Sequence, residues 1–215
     1  MSASLLTALQ LADSGFPSGA FVYSWGMEAA AREGQITRAS FPDWIAVELL
    51  GRWASFDRVV LATAFDADPL IYDQEVDVLF WAEDLRVKSA EAGQSFLAAT
   101  ARLGDPVATR FRDATLDGHA HGHLPVAQGA VFQSMGLTLD LALATSAHSA
   151  AQSLATAGVR LGIVGAVEAQ RVLADLHPEL SEVITRPPPG TLPSTFAPIS
   201  EIAMLRPSEA RLFAN

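Results

Sequence analysis

The chain has no cysteine. That removes disulfides, thiolate nucleophiles and cysteine-ligated zinc or iron–sulfur centres from consideration, and it suits a reducing compartment such as the cytoplasm. Positive charge is scarce. With 14 basic against 24 acidic residues the net charge is -10, which argues against binding a phosphate backbone or an anionic membrane surface and points to basic partners. Charge of either sign is thin, at 18% of residues against 50% apolar, and 215 residues of that composition can bury a substantial core. Between Gly118 and Val159 the only formally charged residue is Asp140. A long unbroken apolar run is also missing. The stretch from Val126 to Ala144 carries Gln128, Gln133, Ser134 and Thr138, whereas a spanning helix needs about 20 predominantly apolar residues, so a helix buried on nearly all sides is expected instead. The opening MSASLLTALQLADSG has no basic n-region, and its apolar run is interrupted by Thr7, Gln10 and Asp13; it is expected to form a short helix and not a secretory signal.

What is present reads as helix after helix, with no strand pattern. Ser40 followed by Asp43 resembles a capping box ahead of WIAVELL, and Pro42 is tolerated in a first turn. Asp68–Pro69 and Asp105–Pro106 repeat a cap-then-proline signal. A long helical stretch is expected from about Asp73 to Leu103, closed by Gly104, then a helix VATRFRDATL stopping at Gly118, then segments 126–144 and 146–176. Gly158, Gly162 and Gly165 recur at helical spacing in the second of these. Glycine inside a helix costs roughly 1 kcal/mol relative to alanine, so close helix packing is the expected reason for three of them. RPPPGTLPSTFAP, residues 186–198, holds five prolines and cannot be helical. The expected architecture is all-α: one helical domain over residues 1–185, then a proline-rich segment and a C-terminal docking tail over 186–215.

Few residues suggest chemistry. GFPSG lacks the spacing of a nucleophile elbow, and no phosphate-cradling G-x-x-x-x-G-K-[ST] occurs. Ser18 is read as the N-cap of a helix FVYSWGMEAAAREG ending at Gly34, in which Ser24 and Glu28 share a face. His119, His121 and His123 in DGHAHGHLP form the one metal-like cluster, since alternate residues of an extended loop point to one side and imidazole suits zinc, copper or nickel. His148 and His177 read as isolated. Glu75, Asp77, Glu83 and Asp84 read as a solvated helix face.

LLTALQLADSGFPSGAFVYSWGMEAAAREGQI resembles the opening of the urease accessory protein UreF family, through Ser14, Pro17, Gly19, Ala20, Phe21, Ser24, Gly26, Met27 and Glu28. Blocks at 85–98, 123–137 and 159–173 and the tail APISEIAMLRPSEARLFAN are similar to later family blocks in the right order. The resemblance implies an all-α, dimeric, cytoplasmic scaffold for nickel insertion into urease, with no catalysis and no cofactor of its own. Its implied partners are UreD (UreH in some organisms), the GTPase UreG and apo-urease. Partner contacts are then expected at Tyr23, Ser24 and Glu28 and at Ile202, Met204, Arg206, Arg211, Leu212 and Phe213, with Gly158, Gly162 and Gly165 packing in the core or across the homodimer. The rival reading is a metal carrier that uses the HAHGH loop.

Overall fold

The computed structural model describes residues 2–18, 24–80, 82–188, 190 and 192–194. All regular structure among them is helical: α1 (Ser2–Ala12), α2 (Met27–Arg32), α3 (Phe41–Ala46), a π-helical segment (Val47–Asp57), α4 (Arg58–Ala64), α5 (Pro69–Asp77), α6 (Glu83–Arg102), α7 (Pro106–Leu116), α8 (Leu124–Ser134), α9 (Leu139–Arg160) and α10 (Ala166–Thr185). Among the described residues no helix is long and apolar enough to cross a membrane. The stretch from Val126 to Ala144 is not one helix, since α8 stops at Ser134, Gly136 turns the chain at φ 77 and α9 starts at Leu139; within it α8, with Val126, Ala127, Val131 and Phe132 almost fully enclosed, is buried on nearly all sides.

Local chemistry sets the helix ends. The Asp68 carboxylate accepts from the Leu70 amide at 2.9 Å and the Asp105 carboxylate from the Ala108 amide at 2.7 Å, each with proline at the start of the helix. Ser40 occupies the N-cap position of α3 without a capping bond; its hydroxyl instead accepts from the Thr37 amide at 2.9 Å, closing the preceding turn.

Three further expectations need correction. The stretch from 73 to 103 is not one helix: α5 stops at Asp77 and α6 starts at Glu83, because Phe80 leaves the helical path to pack on Phe56 at 4.9 Å and on the His123 ring at 4.8 Å. Residues 146–176 are likewise two helices, joined by a turn at 161–165. In that turn Gly162 has φ 70 and Gly165 is the N-cap of α10, and a Cβ on either meets nothing within 4 Å of this chain. Only Gly158 makes the expected close approach, since a Cβ there would lie 2.3 Å from the Phe41 ring. Finally, α10 runs through Pro178 to Thr185. Its last turn is held by Arg58, whose guanidinium donates to the Val183 carbonyl and, at 3.1 Å, to that of Arg186.

Two apolar clusters result. One joins Val60, Leu61, Phe96, Leu97, Phe111, Val126, Val131 and Phe132. The other joins Met27, Phe41, Ile45, Trp53, Leu154 and Leu173. The continuous helix from Phe41 to Ala64 feeds both, α3 and most of the π-helical segment into the second and Phe56 with α4 into the first.

Candidate functional site

Two buried polar constellations stand where the candidate residues lie. The first surrounds α2. Trp25 adopts φ 52 and Gly26 φ 78, so the chain turns sharply into a helix that begins at Met27. Ser18 is therefore not the cap of this helix. The N-cap is Gly26, and the Ser24 carbonyl closes the turn before it by accepting from the Met27 amide at 3.0 Å. Ser24 is fully buried and Glu28 is 5% exposed, with its carboxylate 3.4 Å from the Arg32 guanidinium. Glu28 is thus turned inward, and the half-exposed charged group on this face is Arg32. Beneath it, the Arg52 guanidinium lies 3.8 Å over the Trp25 ring and pairs with Glu48 at 3.6 Å and Asp57 at 2.6 Å. Burial pushes the Asp57 carboxyl up even against the Arg52 charge. π winding makes this arrangement available. Residues five apart sit on widely separated faces of an α-helix, about 140° apart at 3.6 residues per turn, yet Arg52 and Asp57 meet. Trp53 donates from Nε1 to the Ser146 hydroxyl at 3.2 Å, which donates in turn to Gln128 at 2.9 Å. These residues border a cavity of ≈ 50 Å³, room for about one or two waters and far below the roughly 300 Å³ at which small-molecule pockets begin.

The second constellation is the HAHGH loop. Asp73, fully buried on α5, accepts from the amides of His121 (2.6 Å), Gly122 (2.9 Å) and His123 (2.8 Å). Gln74 and Gln94 hold the carbonyls of His119 and His121. α6 can approach because residue 93 is glycine: a Cβ there would fall 1.9 Å from the Gly122 carbonyl oxygen. His121 and His123 do turn to one side, their rings stacked at 5.7 Å and both reaching one oxygen of Asp77, at 3.3 and 3.0 Å. Arg86 takes the same carboxylate at 3.3 Å. Burial would raise the Asp77 carboxyl, but the His123 bond, the His121 charge and Arg86 together hold it below its ordinary value. Burial holds the His123 imidazole below its ordinary value against the pull of Asp73 and Asp77.

This geometry does not fit a metal centre. His119 is exposed, and a guanidinium already occupies the shared carboxylate. A ligating imidazole donates its second nitrogen to an acceptor, whereas His123 Nδ1 is buried without a partner among the described residues. No group of three or more His, Asp or Glu side chains among the described residues is placed to hold an ion. Sequence reasoning missed Asp73 and Asp77 altogether, taking the acids of this stretch for a solvated face. Tyr23, Ile202, Met204, Arg206, Arg211, Leu212 and Phe213 lie outside the described residues.

Among the described residues the body is all-helical, and the buried charges of its two constellations hold turns and loops. The UreF family model matches residues 36–177, from the turn before α3 into α10. The chain is 34% identical over 186 residues to the urease accessory protein UreF of Cereibacter sphaeroides, covering 85% of this chain and 83% of that protein. It is 32% identical over 178 residues to that of Rhizobium leguminosarum bv. viciae, covering 80% and 76%, and 28% identical over 185 residues to that of Actinobacillus pleuropneumoniae, covering 82% of each. The chain belongs to the UreF family of urease accessory proteins.

Proposed function

We propose that this protein is a non-catalytic scaffold of urease maturation in the cytoplasm. It joins UreD (or UreH) and the GTPase UreG into one complex on apo-urease, regulates GTP-dependent nickel delivery there, and acts as a homodimer. The observation that carries the reading is the family match over residues 36–177, which takes in the whole HAHGH constellation and the Glu48, Arg52 and Asp57 part of the other. The net charge of -10 favours basic partner surfaces. The tail supplies an apolar docking segment through Ile202, Met204, Leu212 and Phe213, and Arg206 and Arg211 add directional contacts to UreD. The outward surface of α2, with Arg32 as its charge, meets UreG. Co-purification from cells that produce UreD and UreG tests the scheme. Full-length protein is expected to bring down both, and deletion of residues 196–215 to abolish UreD capture while leaving the helical circular dichroism unchanged; retention of UreD by the truncated protein sinks the tail assignment.

A further inference from the structure

A pocket of ≈ 310 Å³ opens where the end of α4, the turn at 67–68 and α5 meet Leu192 from beyond α10. Leu192, 80% exposed, and Ile71 of α5, 65% exposed, are its apolar walls. Tyr72 lines it from the core side. Its ring belongs to the first apolar cluster, the residue is 8% exposed, and its hydroxyl is buried without a hydrogen-bond partner among the described residues. The Thr63 hydroxyl on the same wall is turned elsewhere, donating to the Val59 carbonyl at 2.9 Å. An enclosed hydroxyl without a partner bears the cost of its lost hydration, which a group arriving from outside can offset. Glu75 of α5 stands exposed on the wall and makes no ion pair among the described residues, whereas the other carboxylate of the pocket, Asp68, is held by Arg110 at 3.3 Å. We infer that this pocket takes a lysine side chain of a partner protein, its ammonium held between Glu75 and the Tyr72 hydroxyl.

The occupant rests on the scaffold reading above; its chemistry follows from the walls. Ile71 and Leu192 suit the four-carbon stem of a lysine, which lies along apolar surface while its head stays in polar surroundings. One unpaired carboxylate and one lone hydroxyl suit the three donors of a compact ammonium better than the planar fork of arginine, which matches paired acceptors. Burial raises the Tyr72 phenol above its ordinary value, the Thr63 hydroxyl acts in the other direction, and the Glu75 charge adds to the rise. The phenol therefore stays protonated at neutral pH, with its oxygen open to a donor. No basic side chain among the described residues lines the pocket, and a chain of net charge -10 draws basic surfaces toward it. The place is set by the chain itself. Leu192 forms part of the wall, and two residues on the Ser194 amide donates to the Ser55 carbonyl at 2.9 Å, so the segment that leads to residues 196–215 leaves the helical body beside the pocket. A partner captured by the docking tail is thereby brought over it.

Binding of purified UreD to the immobilised full-length protein tests this, with Glu75→Gln, Glu75→Lys and Tyr72→Phe variants and the thermal midpoint of each free chain. Glu75→Lys is expected to weaken binding by about tenfold or more and Glu75→Gln by less, and added salt to weaken the wild type more steeply than Glu75→Gln. Tyr72→Phe removes a hydroxyl that no group of the free chain uses. It is expected to weaken binding about threefold to tenfold while leaving the midpoint unchanged or raised, a combination that a merely structural tyrosine would not give. A wild-type chain that captures no UreD overturns the scaffold reading and the occupant with it. Capture that is as tight after Glu75→Lys and Tyr72→Phe as before overturns the pocket and leaves the scaffold reading standing. A midpoint lowered by Tyr72→Phe means that the hydroxyl is satisfied within the chain, and one lowered by Glu75→Lys means that a cation of the chain itself fills the site; either result removes the partner's lysine.

Discussion

Asp73 and Arg52 are both charged and both buried, yet their surroundings treat them differently. Arg52 is matched by opposite charge from its own helix, Glu48 four residues before and Asp57 five after. Asp73 accepts three backbone amides from a loop 48 to 50 residues further along the chain. The first is a local solution that stabilises a way of winding; the second is a long-range one that fixes how two parts of the chain meet. An amide donor left without its acceptor in the interior bears the full cost of desolvation, so the loop depends on a single carboxylate in a way that no residue of the Arg52 cluster does.

The largest effect is therefore expected from Asp73→Ala. Three orphaned amides, each costing about 1–3 kcal/mol, predict a loss of at least about 3 kcal/mol in chemical denaturation, with Asp73→Asn intermediate. Arg52→Met is expected to cost about 3 kcal/mol, because Glu48 and Asp57 are left buried without their cation; adding Asp57→Asn to it should restore part of the loss. If Arg52→Met proves the more damaging of the two, the contrast between long-range and local is reversed. Gly158→Ala pushes a methyl group into the Phe41 ring and is expected to cost about 1–3 kcal/mol. Gly162→Ala, in open space but at positive φ, should cost only about 1 kcal/mol. Equal effects at the two glycines, measured by thermal midpoint, would mean that strain and not packing governs this turn. The smallest effect is that of pH. A histidine held neutral by burial is protonated first in the unfolded chain, so its contribution to stability is lost as pH falls below about 6.5. The Asp77 contribution has the opposite origin and persists until pH falls below the ordinary carboxylate range. Between pH 7.5 and 5.5 the midpoint should drop, and His123→Phe, which keeps the ring but accepts no proton, should flatten the drop.

The parts of the fold that were legible in the sequence are those decided by neighbouring residues. Asp68–Pro69 and Asp105–Pro106 announce helix starts because cap and capped amide lie within three residues of each other. The break at 78–82 escaped for the opposite reason. Val76, Leu79 and Phe80 keep helical spacing in the sequence, but Phe80 packs on residues 24 and 43 positions away. Asp73 was unreadable on the same grounds, since an aspartate on a polar-looking helix carries no mark of amides 48 residues on. The histidine cluster was legible but its partner was not: alternation did bring His121 and His123 together, and what they met was a carboxylate already bound by arginine.

The π-helical stretch has a geometric effect beyond seating Asp57. It lies between α3, whose Phe41, Trp44 and Ile45 enter one apolar cluster, and α4, whose Val60, Leu61 and Ala64 enter the other. The helix thus works as a shaft with two cams, and its winding between 47 and 57 sets the angle between them. Inserting or removing one residue there turns one cam relative to the other by about 100°, a rotation that no side-chain adjustment absorbs. A substitution at Val47, exposed on this stretch, leaves the angle alone. Chain length between Ala46 and Arg58 is on this account a stricter requirement than the identity of the outward residues it contains.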